Sequence, residues 1–385
     1  MDTFSFLLNT KINYGVGSRK KLFDILLGEK WVSVGICVDK NIVDIPIFSE
    51  ILDKLESQST NCLVQEIDIT EPTYDYLESI RSNFVDEKLD AIIGMGGGSA
   101  LDVAKGIAVL INNKNPAISY RGFDQMTEPV LPIIAIPTTA GTGSEITPNA
   151  SFIDTKEKRK LGINGEAVRP QYAILDPELT LSCPIEPTLS AGVDAIVHAH
   201  DCYISKGHTT ISRVFSLEGF RRVYNNLPKV IKDPENINFR TEVLYGAFFA
   251  AVGMIHSGGG ATSVLSYPLG VHYGVPHGIA GGIFLPHVVK FNSENGLKDY
   301  ETFYKQIDGI SQNQNGEDLS HLFSEHLFGN WNQLGIPDDI SRYGYKKEEK
   351  QKFIEDSLTM KGGLDGNPIP FYEDEIGMIL DQLTI

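Results

Sequence analysis

The chain has 385 residues, 42% hydrophobic and 22% charged, a balance typical of a globular protein long enough for two domains. Its net charge of -17 disfavours a surface for nucleic acid or an anionic membrane, since no block of basic residues compensates for it. We therefore expect its partners to be small molecules and copies of the same chain, in a homodimer.

The first residues, MDTFSFLLNTK, have neither the basic segment nor the long apolar stretch of a secretory signal. No run reaches the roughly 20 apolar residues that a membrane helix needs. The four cysteines (Cys37, Cys62, Cys183 and Cys202) show no CxxC spacing, which favours reduced thiols over disulfides or a thiolate metal site. These features predict a cytoplasmic protein.

Short apolar runs alternate with helical patterns through the first half of the chain. Strands are predicted before the Gly15–Gly17 turn and at residues 31–38, 62–67, 90–94 and 131–137, with helices at 48–58 and 74–84. A hairpin and a further strand follow at 151–176, with the charged run 156–160 at the turn. This alternation predicts a parallel sheet covered by helices.

Helical patterns replace the alternation after Pro184. They occupy residues 189–204, 214–224, 240–252, 278–291, 300–310, 319–332, 346–357 and 373–383. The change predicts an α/β domain at residues 1–184 and an all-helical domain at residues 185–385. A cleft between two such domains is a favoured place for a ligand.

A glycine turn separates a buried strand from a helix in the sequence GMGGGS. Gly96, Gly97 and Gly98 allow close approach of a ligand, and the helix predicted to open at Ser99 offers N–H groups and a positive dipole to a phosphate. The pattern is not the GxGxxG fingerprint, so a tight structural turn stays open as the alternative. The segment 138–144 also follows a strand directly, and we expect it at the same edge of the sheet.

A carboxylate and an imidazole lie four residues apart on the first helix of the second half, for which Thr188 is the predicted N-cap. Asp194 and His198 share a face with apolar neighbours, a pattern that fits metal ligands and also a buried hydrogen-bonded pair. His277 follows Pro276 at the start of another predicted helix. The three side chains together would make a metal site with open positions for a substrate oxygen.

Several stretches resemble the iron-containing, group III alcohol dehydrogenase family. They are GMGGGSALDVAKGIA (94–108), AIPTTAGTGSEIT (135–147), DPELTLSCP (176–184), LSAGVDAIVHAHDCYIS (189–205) and YPLGVHYGVPHGIAGGIFLPHV (267–288). The resemblance spans nearly the whole chain. It implies a nucleotide-binding α/β domain and a helical domain in a dehydroquinate synthase-like architecture, with a divalent metal (Fe²⁺ or Zn²⁺) and NAD(P)-linked interconversion of an alcohol and a carbonyl.

The resemblance also implies cofactor contacts at individual positions. These are Asp39, Gly96, Gly97, Gly98, Ser99, Thr138, Thr139, Thr142, Lys160 and Leu179. The glycines and Ser99 match a pyrophosphate loop, the threonines a second cofactor loop, Lys160 a lysine that reaches the cofactor, and Leu179 a residue near the nucleotide. Asp39 would accept the ribose 2′-OH and repel a 2′-phosphate, which favours NAD over NADP; a plain turn carboxylate is the alternative.

The metal site departs from the family pattern. Asp194, His198 and His277 match three of the four usual ligands, whereas Ser263 stands where the fourth, a histidine, is normally found. A neutral hydroxyl is a poor ligand for zinc or iron(II). His256 and His272 lie nearby in the sequence. Three roles stay open for them: substitute metal ligand, substrate-binding group or proton relay.

The segment from His256 to Gly260 carries small residues where bulkier ones are usual, and predicts room for a polar substrate. A sugar or sugar acid fits this idea, as in the family branch with 3-deoxy-D-manno-octulosonate 8-oxidase, which acts on a lipopolysaccharide sugar. A packing device between helices is the alternative. Two other functions stay open: a dehydroquinate synthase-like lyase or sugar-phosphate cyclase, and a nucleotide-binding scaffold that has lost catalysis through Ser263.

Overall fold

A parallel sheet organises the first half of the chain in the structure, a computed structural model that describes residues 4–69, 71–310 and 318–384. The strands are β1 (Lys11–Tyr14), β2 (Ser33–Asp39), β3 (Asn61–Ile67), β4 (Ala91–Gly96), β5 (Gly122–Phe123), β6 (Ile133–Pro137), β7 (Asn149–Asp154), β8 (Arg159–Asn164) and β9 (Tyr172–Leu175). Six of them form the main sheet in the order β1-β9-β6-β4-β2-β3, and β5, β8 and β7 form a small second sheet. Every pairing in the main sheet is parallel.

The strand order reverses direction at β2 and β4. From β2 the chain passes to β3 on one side, and it then returns to place β4 on the other side of β2. Such a reversal leaves a crevice at the carboxyl ends of the two strands, which is where open α/β sheets bind ligands. The fold therefore points to the ends of β2 and β4 as the ligand-binding edge.

Helices cover both faces of this sheet. They are α1 (Lys21–Glu29), α2 (Lys40–Val43), α3 (Pro46–Ser57), α4 (Tyr74–Arg81) and α5 (Gly98–Leu110). Because side chains alternate along a strand, Ile93 and Met95 pack in a core with α1 and α3, whereas Ile92 packs in a second core with α4 and α5. Burial on both faces explains the continuous apolar runs of these strands.

The second half of the chain is helical. Its helices are α6 (Ile185–Ile204), α7 (Thr210–Lys232), α8 (Ile237–Met254), α9 (Ala261–Tyr273), α10 (His277–Glu294), α11 (Tyr300–Tyr304), α12 (Leu319–Leu334), α13 (Lys350–Leu358), α14 (Lys361–Gly366) and α15 (Glu373–Gln382). The predicted α/β and helical classes are therefore correct. No helix among the described residues combines the length and apolar character needed to cross a bilayer.

The structure separates into two compact units. The α/β unit comprises residues 7–184 and 235–244, and the helical unit comprises the described residues of 1–6, 185–234 and 245–385. The chain thus passes from one unit to the other after Pro184. The two short segments, 4–6 and 235–244, lie apart in sequence from the units to which they belong, and composition gave no indication of this.

Several details of the helical half differ from the sequence predictions, among them helix α14, which was not predicted. Helix α6 begins at Ile185, so Thr188 lies inside its first turn and is not the N-cap; Pro187 is tolerated there because the first-turn N–H groups have no helical partner. Helix α9 was not predicted, since glycines precede it and Pro268 interrupts its pattern. Helix α11 ends at Tyr304, well before residue 310.

Candidate nucleotide and metal sites

The glycine turn lies at the reversal of the strand order, beside Asp39. Gly96 ends β4 with a φ of 151°, and a Cβ atom on it would lie 2.8 Å from the Cβ of Asp39 and 2.7 Å from that of Ala100. Only glycine fits this position. The Asp39 carboxylate accepts a hydrogen bond from the backbone N–H of Asn41 and caps α2. The residue predicted to contact the ribose therefore borders the residues predicted to contact the pyrophosphate.

The threonine segment lies against the same turn. The backbone N–H of Thr138 donates to the carbonyl of Gly96 at 2.9 Å. A Cβ on Gly98 would lie 2.7 Å from the Thr142 side chain, and one on Gly97 would lie 3.4 Å from Thr139. The structure thus brings the two segments together at the carboxyl ends of β4 and β6, as the strand pattern predicts. The start of α5, at Gly98 and Ser99, completes the features that suit a bound phosphate.

A buried lysine that was given no role in the sequence analysis ties α5 to the threonine segment. Lys105 is fully buried, and its Nζ donates to Ser144 Oγ at 2.8 Å, to Asn149 O at 2.7 Å and to Thr147 O at 3.1 Å. Ser144 in turn donates to the Asp102 carboxylate at 2.6 Å. Burial lowers the pKa of Lys105 to about 8. A lysine and an aspartate in an otherwise apolar helix were the available signal for this network.

Two positions predicted to contact the cofactor have other partners in the structure. Lys160, on β8, donates to Glu71 at 2.7 Å, and its charge also acts on Asp102. Leu179 is 4% exposed and packs in the core that covers one face of the sheet. Their contact with a nucleotide stays a prediction.

Asp194, His198 and His277 meet in the helical unit. One ligand atom from each lies within 4.8 Å of the other two. Helix α6 presents Asp194 and His198 one turn apart, and His277 is the first residue of α10. Asp194 and His198 are buried, and His277 is partly exposed. Three residues from two helices therefore form a cluster open on one side.

The distances in this cluster differ from those of ordinary histidine–aspartate pairs. The Nε2 atoms of His198 and His277 lie 3.5 and 3.8 Å from Asp194 Oδ1, beyond good hydrogen-bonding distance. By contrast, Nδ1 of His200 lies 2.9 Å from Asp201, in the same unit. Nδ1 of His198 is also buried without a hydrogen-bond partner among the described residues, so no bond at Nδ1 competes for the ring orientation that turns Nε2 toward Asp194.

This donor set fits a divalent cation. Two imidazole nitrogens and one carboxylate oxygen are the usual protein ligands of zinc and of non-haem iron(II), and such sites keep positions open for substrate. The alternative of a simple buried Asp–His hydrogen bond is not supported at 3.5 Å.

A glycine brings the two helices close enough to form the cluster. A Cβ on Gly278 would lie 1.8 Å from the carbonyl oxygen of Ser190 and 3.0 Å from the Cβ of Asp194. One turn later, a Cβ on Gly282 would lie 2.7 Å from Val193. Glycines on one face of α10 therefore set its distance from α6, and with it the position of His277.

Ser263, at the position of the family's usual fourth ligand, bonds to a carboxylate in the structure. Its backbone N–H and its hydroxyl both donate to Asp201 Oδ2, at 2.8 and 2.7 Å. Burial alone would raise the pKa of Asp201, but hydrogen bonds from His200 and Ser263 outweigh it and hold that pKa below its usual value. Ser263, at the start of α9, thus donates its hydroxyl proton to the buried carboxylate of Asp201 on α6.

The two histidines considered as relays have different surroundings. His272 lies at the end of α9 and donates from Nε2 to Asp356 at 2.8 Å, since an ionised carboxylate only accepts. Burial opposes ionisation of Asp356, but hydrogen bonds from Lys352 and His272 hold its pKa below the usual value. His256 follows α8, and its ring stacks on Phe6 at a centroid distance of 4.3 Å. Neither belongs to the three-residue cluster.

The glycines near His256 serve more than one purpose. A Cβ on Gly260 would lie 2.7 Å from the carboxyl carbon of Asp201, so this glycine permits close packing. Gly258 has a φ of 80°, which favours glycine. Gly259 is exposed, and a Cβ on it would meet nothing within 4 Å. Gly260 therefore serves helix packing, as the alternative interpretation predicts. Only Gly258 and Gly259 still agree with the prediction of space for a polar substrate.

Comparison with known proteins agrees with these features. The family model "Iron-containing alcohol dehydrogenase" matches residues 9–177, and the model of the Fe-containing alcohol dehydrogenase C-terminal region matches residues 188–384. The NAD-dependent methanol dehydrogenase of Bacillus methanolicus is 33% identical over 269 residues, which are 69% of this chain and 70% of that protein. The sulfoacetaldehyde reductase of Bilophila wadsworthia is 29% identical over 377 residues, 96% of each chain.

A solved structure shows the same fold. The sulfoacetaldehyde reductase from Bifidobacterium kashiwanohense, determined in complex with NAD+, superposes with a TM-score of 0.88 at 24% identity and covers 100% of this chain and 99% of that one. The fold is thus that of a protein with one α/β unit and one helical unit. The chain belongs to the iron-containing alcohol dehydrogenase family and is an alcohol oxidoreductase. That assignment decides against the lyase and cyclase alternatives.

Proposed function

We propose that the protein interconverts a hydroxyl and a carbonyl group on a polar substrate, with a divalent cation and NAD. The observation that carries the proposal is the convergence of Asp194, His198 and His277 within 4.8 Å. The carboxylate would supply negative charge and the imidazoles electron pairs. When bound, a cation supplies Lewis-acid chemistry at an oxygen, and nicotinamide supplies hydride exchange at carbon.

The burial of the cluster supports this role. Asp194 is 4% exposed and His198 is 9% exposed, so little water screens their interaction with a cation or a developing oxyanion. Gly278 holds the third ligand against α6. The chain thus fixes its ligands before substrate arrives, and the open side at His277 leaves access for a small molecule.

NAD is favoured over NADP by charge at the predicted ribose position. The Asp39 carboxylate borders Gly96 and would accept the ribose 2′-OH while repelling a 2′-phosphate. The methanol dehydrogenase relative is named as NAD-dependent, which agrees with this preference. We therefore assign NAD as the cofactor.

For the substrate we propose a polar molecule, with a sugar acid such as 3-deoxy-D-manno-octulosonate as the specific candidate. The exposed Gly258 and Gly259 support it by leaving space free of side chains. The named activities of the relatives, on methanol and sulfoacetaldehyde, define the competing substrates. A panel of simple alcohols, sulfoacetaldehyde and sugar acids, followed as NADH at 340 nm and as oxygen consumption, tests the candidate. A preference for ethanol or 1,2-propanediol would contradict it.

The metal is tested by elemental analysis of protein purified without oxygen, which also decides between iron and zinc. Asp194→Ala and His198→Ala should lose the metal and the activity together. His321→Ala, on the exposed face of α12, is the matched histidine control. Retention of full metal content and full turnover by both site variants would contradict the proposal.

The proton relay is a separate part of the proposal. If His272 or His256 carries the proton, His272→Gln or His256→Gln should lower kcat while the metal content stays at the level of the parent protein. Equal kcat in both variants and the parent would remove these two residues from the mechanism.

A further inference from the structure

Ser266 lies on α9 behind the metal-ligand cluster. The residue is 1% exposed, and its hydroxyl oxygen lies 2.6 Å from the carbonyl oxygen of Ser263 and 3.1 Å from Nδ1 of His277. It is therefore in contact with a proposed metal ligand without belonging to the cluster itself.

The single proton of this hydroxyl fixes the direction of both bonds. A carbonyl oxygen only accepts, so the hydroxyl proton of Ser266 is donated to Ser263. Toward His277 the hydroxyl oxygen is then the acceptor, and Nδ1 carries the proton. In the neutral imidazole the electron pair then belongs to Nε2, which is the nitrogen that faces Asp194.

We propose that Ser266 is a positioning residue that selects the metal-binding tautomer of His277. The inference rests on the proposed metal site. With the proton on Nδ1, an electron pair of His277 and the Asp194 carboxylate face each other, and their 3.8 Å separation is one that a cation can bridge. With the proton on Nε2, His277 would present a proton instead of an electron pair toward Asp194, and that nitrogen could not bind a cation.

The imidazole of His277 also has an aromatic neighbour on α9. The ring of Tyr267, the next residue on α9, lies 5.0 Å from the ring of His277 at 49°. Ser266 and Tyr267 therefore both contact the imidazole. An outer partner that orients a ligating histidine in this way is typically worth about 10- to 100-fold in metal affinity.

The test compares three serine variants of the metal-free protein. Ser266→Ala removes the acceptor, and Ser266→Thr keeps a hydroxyl. Ser357→Ala is the matched control, because Ser357 is also buried and donates to a carbonyl of its own helix, Phe353 O at 2.9 Å, without an imidazole partner. Long-range ¹H–¹⁵N spectra report the tautomer of His277, assigned with His277→Gln, and Zn²⁺ titration reports affinity.

We expect the Nδ1–H tautomer in the parent protein, a shift toward Nε2–H in Ser266→Ala, and a loss of Zn²⁺ affinity of about 10- to 100-fold. Ser266→Thr should restore both properties, and Ser357→Ala should change neither. An Nε2–H tautomer in the parent, or an unchanged tautomer in Ser266→Ala, overturns the inference. Failure of the metal site itself is recognised separately, as equal Zn²⁺ affinity in Asp194→Ala and the parent.

Discussion

Replacing Gly278 by alanine should disrupt the metal-ligand cluster without touching a ligand. Gly278 follows His277 at the start of α10, and the added Cβ would lie 1.8 Å from the carbonyl oxygen of Ser190 on α6. Neither atom belongs to a flexible side chain, so the contact cannot be relieved by a rotamer change. The start of α10 must move away from α6.

The size of that movement follows from the contact distance. Real Cβ atoms essentially never approach another heavy atom closer than 3.0 Å, so a contact of 1.8 Å requires a shift of about 1.2 Å. Metal–ligand distances are held within about 0.2 Å. A misplacement of about 1 Å can cost about 100-fold in rate, which corresponds to about 2.7 kcal/mol of transition-state stabilisation. The strain itself should lower the free energy of unfolding by about 1–3 kcal/mol.

The assay measures kcat/KM, metal content and urea unfolding for Gly278→Ala and for a control glycine. Gly329→Ala lies on the exposed face of α12, where a Cβ meets nothing within 4 Å, and it should raise stability by about 0.5–1 kcal/mol. We expect kcat/KM of Gly278→Ala to fall about 100-fold, with metal lost on dialysis. Parent-like metal content and activity in a folded Gly278→Ala protein would refute this reasoning.

Three further predictions address the α/β unit and the buried network. Gly98→Ala places a Cβ 2.7 Å from Thr142 and should raise KM for NAD about tenfold without changing metal content. Loss of metal together with the rise in KM would argue against separate cofactor and metal sites. Asp39→Asn keeps an oxygen to cap α2 but removes the charge, so KM should rise for NAD and fall for NADP; unchanged cofactor preference would make Asp39 a plain turn carboxylate. The folded-state pKa of Asp201 lies below its usual value, so its stabilisation is present above the unfolded pKa of about 3.9 and is lost as the pH falls below it. Urea midpoints of Asp201→Asn should be lower at neutral pH and flatter in acid than those of the parent, and parallel curves would contradict this.

Local sequence determined the parts of the protein that depend on neighbours along the chain. The apolar run and the helical period predicted the strand before the glycine turn and the helix after it, because both patterns are read from consecutive residues. The four-residue spacing of Asp194 and His198 placed them on one face of α6 for the same reason. Helix α9 was missed because its flanking glycines and Pro268 hide a helix that packing stabilises.

Tertiary structure alone decided which polar groups meet. Ser263 is 62 residues from Asp201, and Lys160 is 89 residues from Glu71, so no local pattern reveals either contact. The approach of His277 to α6 likewise depends on Gly278 meeting Ser190. Hydrogen bonds and metal ligation act over about 3 Å, whereas sequence patterns fix direction only along one helix or strand. The packing of helices against one another determines which side chains from distant parts of the sequence come within that distance.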